Sequence, residues 1–281
     1  MRTNKLILLL LALVICGCTK EKKEKEPEIN WEPCEYEFTI SSPSAGACFP
    51  EVCDKYVYPI VPGMKEWINL DPSEDPTKKF CQLPDKVLQS ISTQGLIDAL
   101  IHAPMFGTFY YFSSSSPTYR WYGIYSELNS ATELFQRKDA ANALLEYYKL
   151  ACFDCIETLA GKEPWMTGHY AVHINLRMMG LAFLFTKQEI LDKMDHTQKK
   201  EAVIALLINY DQCKTPEMSE SVNASLYVAP IAHIMYADEY DPIVEYARDN
   251  GGKFQTILNG HVNFTDQEDV IISFAKKIIN E

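Results

Sequence analysis

The chain has no apolar run long enough to cross a bilayer. Its main candidate, Leu6 to Ile15, runs for ten residues, about half of the roughly 20 that a spanning helix needs. Positive charge is scarce as well: 26 Lys and Arg stand against 38 Asp and Glu, a formal net charge of −12. That balance argues against a nucleic-acid partner, which needs a basic footprint, and against lying flat on an anionic lipid surface. Glycine is thin, at 12 of 281 residues, and no glycine-rich phosphate loop occurs. No serine sits in a G-x-S-x-G nucleophile elbow. No HExxH zinc-protease pattern is found, and no carboxylate pair stands in a context that suggests glycosidase chemistry. These absences point to a non-enzymatic protein without a bound cofactor.

What is present begins at the N-terminus. Arg2 and Lys5 form a short positive region ahead of the apolar run, the layout of a signal peptide. Ile15-Cys16-Gly17-Cys18 follows and resembles a bacterial lipobox. The resemblance implies cleavage before Cys18 and acylation, by palmitate-type chains, of its thiol and amine. Cys16 is the rival position, but Ile15 is too bulky to precede the cut. Residues 1–17 are therefore read as a lipoprotein signal peptide. Their removal leaves 264 of the 281 residues and takes Arg2 and Lys5 with it, so the charge becomes −14. That length allows one large or two small domains with a substantial core. Residues 18–30 carry the acylated cysteine and the charged stretch TKEKKEKEPE, which cannot bury surface to offset ordering and reads as a tether. Mixed charge directly after the lipidated cysteine resembles the surface-export signals of Bacteroidetes lipoproteins. It implies an outer-membrane location facing the exterior, the alternative being a plain spacer on the periplasmic face. The multiply acylated foot at Cys18 would be the membrane partner.

Residues 31–82 read as an irregular lead-in rich in Cys and Pro. Seven prolines punctuate it (Pro33, Pro43, Pro50, Pro59, Pro62, Pro72 and Pro76), each removing a backbone donor and disfavouring helix just before it. Glu35–Ile40 and Tyr56–Val61 are expected as short strands, and Gly63–Ile68 as a turn or two of helix. Trp31, Tyr56, Tyr58 and Trp67 are expected to anchor this strap on the body. The cysteines beyond Cys18 are Cys34, Cys48, Cys53, Cys81, Cys152, Cys155 and Cys213. An exported chain tolerates disulfides, and the four at 34–81 could form two, with three pairings open. Cys152-x-x-Cys155 lies in a helical run without the βαβ setting of a redox site. It reads as a buried thiol pair or a link to the lead-in. Cys213 reads as unpaired or simply buried.

Residues 83–281 show helical periodicity with cap signals and no alternating β pattern. Expected helices are Asp85–Ile91, Gln94–His102, Trp121–Phe135, a run opened by Asp139, Trp165–Phe185, and Gln198–Cys213 capped by His196-Thr197. Glu220–Tyr236, capped by Ser219, should be kinked or interrupted at Pro230. A short helix opened by Asp241-Pro242 should end at Gly251-Gly252. Thr265 with Glu268 three residues on matches a capping box before a last helix. The fold class is all-α: an array of about eight or more antiparallel helices, either an irregular bundle or a short α-solenoid, with the Cys/Pro-rich strap at its N-terminal side.

Within this body, Leu83-Pro84, Val87-Leu88, Ser92-Thr93, Gly95-Leu96-Ile97, Glu133-Leu134-Phe135, Arg137-Lys138-Asp139-Ala140-Ala141 and Leu144-Leu145 stand in an order that resembles an uncharacterised family of exported Bacteroidetes lipoproteins. It covers about a quarter of the chain. The resemblance implies location and fold class and transfers no catalytic residue.

Two clusters are candidate sites. Tyr110, Tyr111, Tyr119, Trp121 and Tyr122 lie in the aromatic-rich segment Phe106–Tyr125. They could stack on the CH faces of sugars, or form core between two helices. His169 and His173 are four apart and share a helical face, a spacing that can seat a metal, although no third ligand stands out. The leading expectation is a lipid-anchored binding or scaffold protein with a surface protein or glycan partner. A glycan-binding accessory protein using Phe106–Tyr125 is the alternative, and a metal-dependent hydrolase on His169 and His173 comes third.

Overall fold

The computed structural model describes residues 48–104, 117–153, 167–215, 224–259 and 265–280, with backbone alone for 117–120, 167–173, 265–266 and Asn280. The fold is all-α. Among the described residues there are fourteen α-helices and one 3-10 helix, and no strand. The helices are α1 (Lys65–Ile68), α2 (Pro76–Phe80), α3 (Asp85–Ser90), α4 (Thr93–Ile101), α5 (Pro117–Glu127), α6 (Asn129–Gln136) and α7 (Ala140–Leu150). They continue with α8 (Thr167–Leu184), α9 (Gln188–Leu191), α10 (His196–Cys213), the 3-10 turn Ala224–Tyr227, α11 (Val228–Ala237), α12 (Asp241–Asp249), α13 (Gly251–Leu258) and α14 (Thr265–Asn280). No described helix is long and apolar enough to cross a membrane.

Two helices carry the core. In α4, Leu96, Ile97, Ala99, Leu100 and Ile101 are all fully buried, and in α8 so is the run Leu181–Leu184. A helix apolar on all sides must be enclosed on all sides. Helix α4 accordingly packs on α6, α7 and α8, and α8 also meets α5 and the 3-10 turn. Helix α7 contacts α10, which in turn gathers α11 and α14.

The starts of α3 and α4 are local events. Pro84 precedes α3, and Ser92 caps α4 by accepting from the Gly95 N–H at 2.9 Å. Asp54 of the lead-in reaches the same cap, accepting from the Ser92 N–H and from its Oγ at 2.8 Å. The approach is so close that a Cβ on Gly95 would stand 2.4 Å from Asp54 Oδ1. Arg137 closes the other end of α3, donating to Ile91 O at 2.7 Å and Leu88 O at 3.0 Å. A guanidinium suits the negative end of a helix.

Several expectations need correction. Tyr56–Val61 is no strand. Tyr56 and Tyr58 are buried and Val57 is exposed, so the alternation is real. Pro59 and Pro62 cannot donate to a ladder, and the segment is held instead by Tyr58, whose hydroxyl donates to Ala99 O at 3.1 Å. Helix α2 lies where irregular chain was expected, with Asp75 accepting from the Thr77 N–H at 2.8 Å and Pro76 at its first position. The run Trp121–Phe135 is broken at Leu128, which is extended (φ −100, ψ 124). There the Asn129 side chain bridges Leu83, accepting from its N–H at 2.9 Å and donating to its carbonyl at 2.7 Å. Asp195, not His196-Thr197, caps α10, in a reciprocal box with Gln198. Pro230 falls in the first turn of α11, where its missing N–H has no partner to lose, so no kink is needed. Gly251-Gly252 opens α13 as well as following α12, because Phe254 and Ile257 are drawn into the core. Cys48 is disulfide-bonded, whereas Cys53, Cys81, Cys152 and Cys213 are not, so the pair of staples expected within residues 34–81 cannot both form. The lead-in is tied to the end of α7 by backbone: the Cys152 N–H donates to Cys48 O at 2.9 Å. Trp31, Cys34 and the segment Glu35–Ile40 lie outside the described residues.

Candidate functional site

Among the described residues two carboxylates, Asp98 and Glu268, are buried, and each gathers ionisable partners. Asp98 sits in the apolar helix α4 and is 1% exposed. Its Oδ1 accepts from the Tyr147 hydroxyl of α7 at 2.8 Å and faces His102 Nδ1 at 3.2 Å. That same His102 nitrogen lies 2.9 Å from the Asp98 carbonyl oxygen one turn back. Oδ2 has no hydrogen-bond partner. Burial pushes the Asp98 carboxyl up. The hydrogen bond and charge of His102, the Tyr147 hydroxyl and the charge of Lys55 outweigh it and hold the group below the usual carboxylate range. Burial next to this anion pushes the Tyr147 phenol far above its ordinary value. Arg177 of α8 is partly buried beside the pair. Burial lowers its pKa, while Asp98 and Tyr147 pull it back up. Phe49 of the lead-in stands edge-on to the His102 ring, with centroids 5.5 Å apart.

The second carboxylate is Glu268 of α14. It accepts from Tyr210 at 2.6 Å, from Lys214 at 2.8 Å and from the Ser225 hydroxyl. Burial raises its pKa, and the bonds from Lys214, Ser225 and Tyr210 together bring it below the ordinary value. Burial and the bond to Glu268 push the Tyr210 phenol up to about 12. Thr265, the other half of the capping box expected with Glu268, is described by backbone alone. The nearby thiol of Cys213 is buried and pushed up to about 12, which makes it a poor nucleophile.

The residues singled out from sequence are distributed as follows. Cys18, Tyr110 and Tyr111 lie outside the described residues. Tyr119 is on α5, and His169 and His173 are on α8, where only backbone is described. Trp121 is 3% exposed and stacks on Phe183 and Tyr125, at centroid distances of 6.4 and 6.2 Å. Tyr122 is half-buried. Its hydroxyl pairs with Thr186 Oγ1 at 2.9 Å, and the Lys187 ammonium sits 3.7 Å from its ring centroid. Those two rings therefore serve the core and an internal cation–π contact. No group of three or more His, Cys, Asp or Glu suited to a metal occurs among the described residues. A cleft of about 50 Å³ between α10 and α11 is lined by His196, Lys199, Asp238 and Tyr240, among others. It is far below the 300 Å³ or so of a typical small-molecule pocket.

Neither buried carboxylate was singled out from sequence, yet Asp98 carried a signal, as did Arg177. Asp98 interrupts Leu96-Ile97-x-Ala99-Leu100-Ile101, and Arg177 interrupts the apolar run of α8. A lone charge inside an apolar helix needs a partner or a job. No protein-family model, curated protein or solved structure matches the chain.

Proposed function

We propose that the protein is a lipid-anchored binding or scaffold protein of the outer membrane, facing the exterior and held by acyl chains on Cys18. The observation that carries this reading is the run Leu6–Ile15 followed by Ile15-Cys16-Gly17-Cys18 and then a mixed-charge tether. Several acyl chains on one foot hold a membrane stably, where one alone would be marginal. The resemblance to exported Bacteroidetes lipoproteins supports the same location. The motif residues themselves serve the fold: Arg137 closes α3, and Asp139 accepts from the Thr93 hydroxyl at 2.9 Å.

The test is metabolic labelling with palmitate in the native host, followed by protease shaving of intact cells. The wild-type chain should incorporate label, partition into detergent and be cleaved from outside, and Cys18→Ser should do none of these. A mature protein that retains residues 1–17, or that carries no label, would overturn the reading.

A further inference from the structure

Exposed apolar side chains are spread unevenly over the molecule. Of the nine large ones among the described residues, Val57, Val61, Met64 and Ile68 fall within one short stretch of the lead-in, at 73%, 40%, 42% and 69% exposure. Single exposed apolar residues are ordinary, whereas a cluster calls for a partner. The backbone is built to present three of these four. Val61-Pro62-Gly63-Met64 is a type II turn: Pro62 holds the second place, Gly63 takes the φ of 96 that the third requires, and the Met64 N–H donates to Val61 O at 3.1 Å. The Val61 N–H donates to the Met64 sulfur at 3.3 Å and the Ile68 N–H to Met64 O at 3.0 Å, so Val61, Met64 and Ile68 stand around one corner. Trp67, half-buried against Phe80 at 5.4 Å between centroids, forms its edge. Helix α1, which carries Ile68, has no buried residue. An ordered apolar corner that contributes so little to the core is shaped for a surface outside the chain.

Charge and chain length point to which surface that is. From Lys55 to Leu70 the only charged residues are Lys55, Lys65 and Glu66, a local balance of +1 in a chain of −12. This stretch of an acidic protein is therefore not repelled by lipid phosphates. A tryptophan at its edge suits the boundary between headgroups and acyl chains. The position in the chain matters as much. Cys18 and Cys48 are separated by 29 residues, and Val57 follows nine positions later. Even fully extended, 29 residues reach roughly 100 Å, so an acylated Cys18 keeps this corner beside the bilayer. At that effective concentration a few apolar side chains suffice for contact, an advantage that no partner free in solution shares.

We propose that Val57, Val61, Met64 and Ile68, with Trp67 at the edge, insert into the neutral lipid surface of the membrane that carries the anchor. The inference rests on reading Cys18 as the acylated residue. Insertion gives the body a second point of attachment and so fixes its orientation. It works by burial of apolar side chains at the interface and needs no basic face, so the overall negative charge does not oppose it.

The experiment reconstitutes the acylated full mature chain into phosphatidylcholine vesicles, plain or brominated on the acyl chains, and reads tryptophan emission after flotation. Bromine quenches nearby indoles, so emission should fall in the brominated lipid. The fall should be at least about halved in Trp67→Phe, Ile68→Asp and Val57→Asp. Val57 lies outside α1, so its variant tests the patch without disturbing that helix. Emission unaffected by bromine, or reduced equally in wild type and both aspartate variants, overturns the proposal while the chain still floats with the vesicles. A dimer in detergent that dissociates on Ile68→Asp also overturns it and gives the corner to a second copy. A chain that neither floats nor incorporates palmitate removes the anchor and this inference with it, so the two failures are told apart.

Discussion

The centres at Glu268 and Asp98 invite comparison because both are carboxylates taken out of water inside an all-helical body. Glu268 has three donors for its two oxygens, one of them the Lys214 ammonium, and ties α10, α14 and the 3-10 turn together. Asp98 has donors on one oxygen only, and its Oδ2 has no hydrogen-bond partner. A carboxylate with a full set of partners is explained by the fold it fastens. One with an idle oxygen is not, because packing alone would favour an apolar residue in the middle of α4. The contrast separates a clasp from a candidate site with the same physical rule applied to both.

The comparison can be broken most directly at the clasp. Glu268→Ala should cost about 3 kcal/mol, because it removes the acceptor of the buried Tyr210 hydroxyl and leaves Lys214 without its anion. Urea denaturation followed by circular dichroism measures it, and a loss below about 1 kcal/mol would remove the distinction. Asp98→Ala should cost less, about 1–2 kcal/mol, since it forfeits the Tyr147 and His102 contacts but also removes an unsatisfied oxygen.

Acid should sharpen the same contrast. Both carboxyls titrate lower in the folded chain than when free, from ordinary values of 4.5 for Glu268 and 3.8 for Asp98. The unfolded chain therefore takes up the proton more readily. The stabilisation is complete above those ordinary values and is lost as pH falls through the lower folded ones. Thermal midpoints recorded from pH 7 downward should drop below about pH 4.5, and Glu268→Gln should flatten that acid limb. An unchanged limb would show that Glu268 is not the linked group. The smallest effect is expected for Arg177→Met, within about 0.5 kcal/mol of wild type in urea. A large loss there would mean the guanidinium already serves the fold.

How far the chain could be read in advance varied with the range of the interactions. The starts of α3 and α4 were legible because Pro84 and Ser92 act within one turn. The break at Leu128 was not, because Asn129 is held by Leu83 and its N–H by Gln82 Oε1 at 2.9 Å, from more than forty positions away. Glu268 shows the same limit, since its donors Tyr210, Lys214 and Ser225 stand more than forty positions away in the chain. Asp75-Pro76 announced α2 locally, and its signal was outweighed by the surrounding prolines. Of the aromatic stacking residues, Trp121 belongs to the interior, which ring density alone could not distinguish from a platform.

Helical periodicity and cap residues settle the class of fold from the chain itself, because those signals act between neighbours one turn apart. Whether a buried charge becomes a clasp or an unanswered group is a question about helices that meet only after folding. Nothing around Glu268 in the chain announces Tyr210 and Ser225, and nothing around Asp98 announces Tyr147. Electrostatic partners are chosen by distance in space, and in a dry interior that choice carries several kcal/mol.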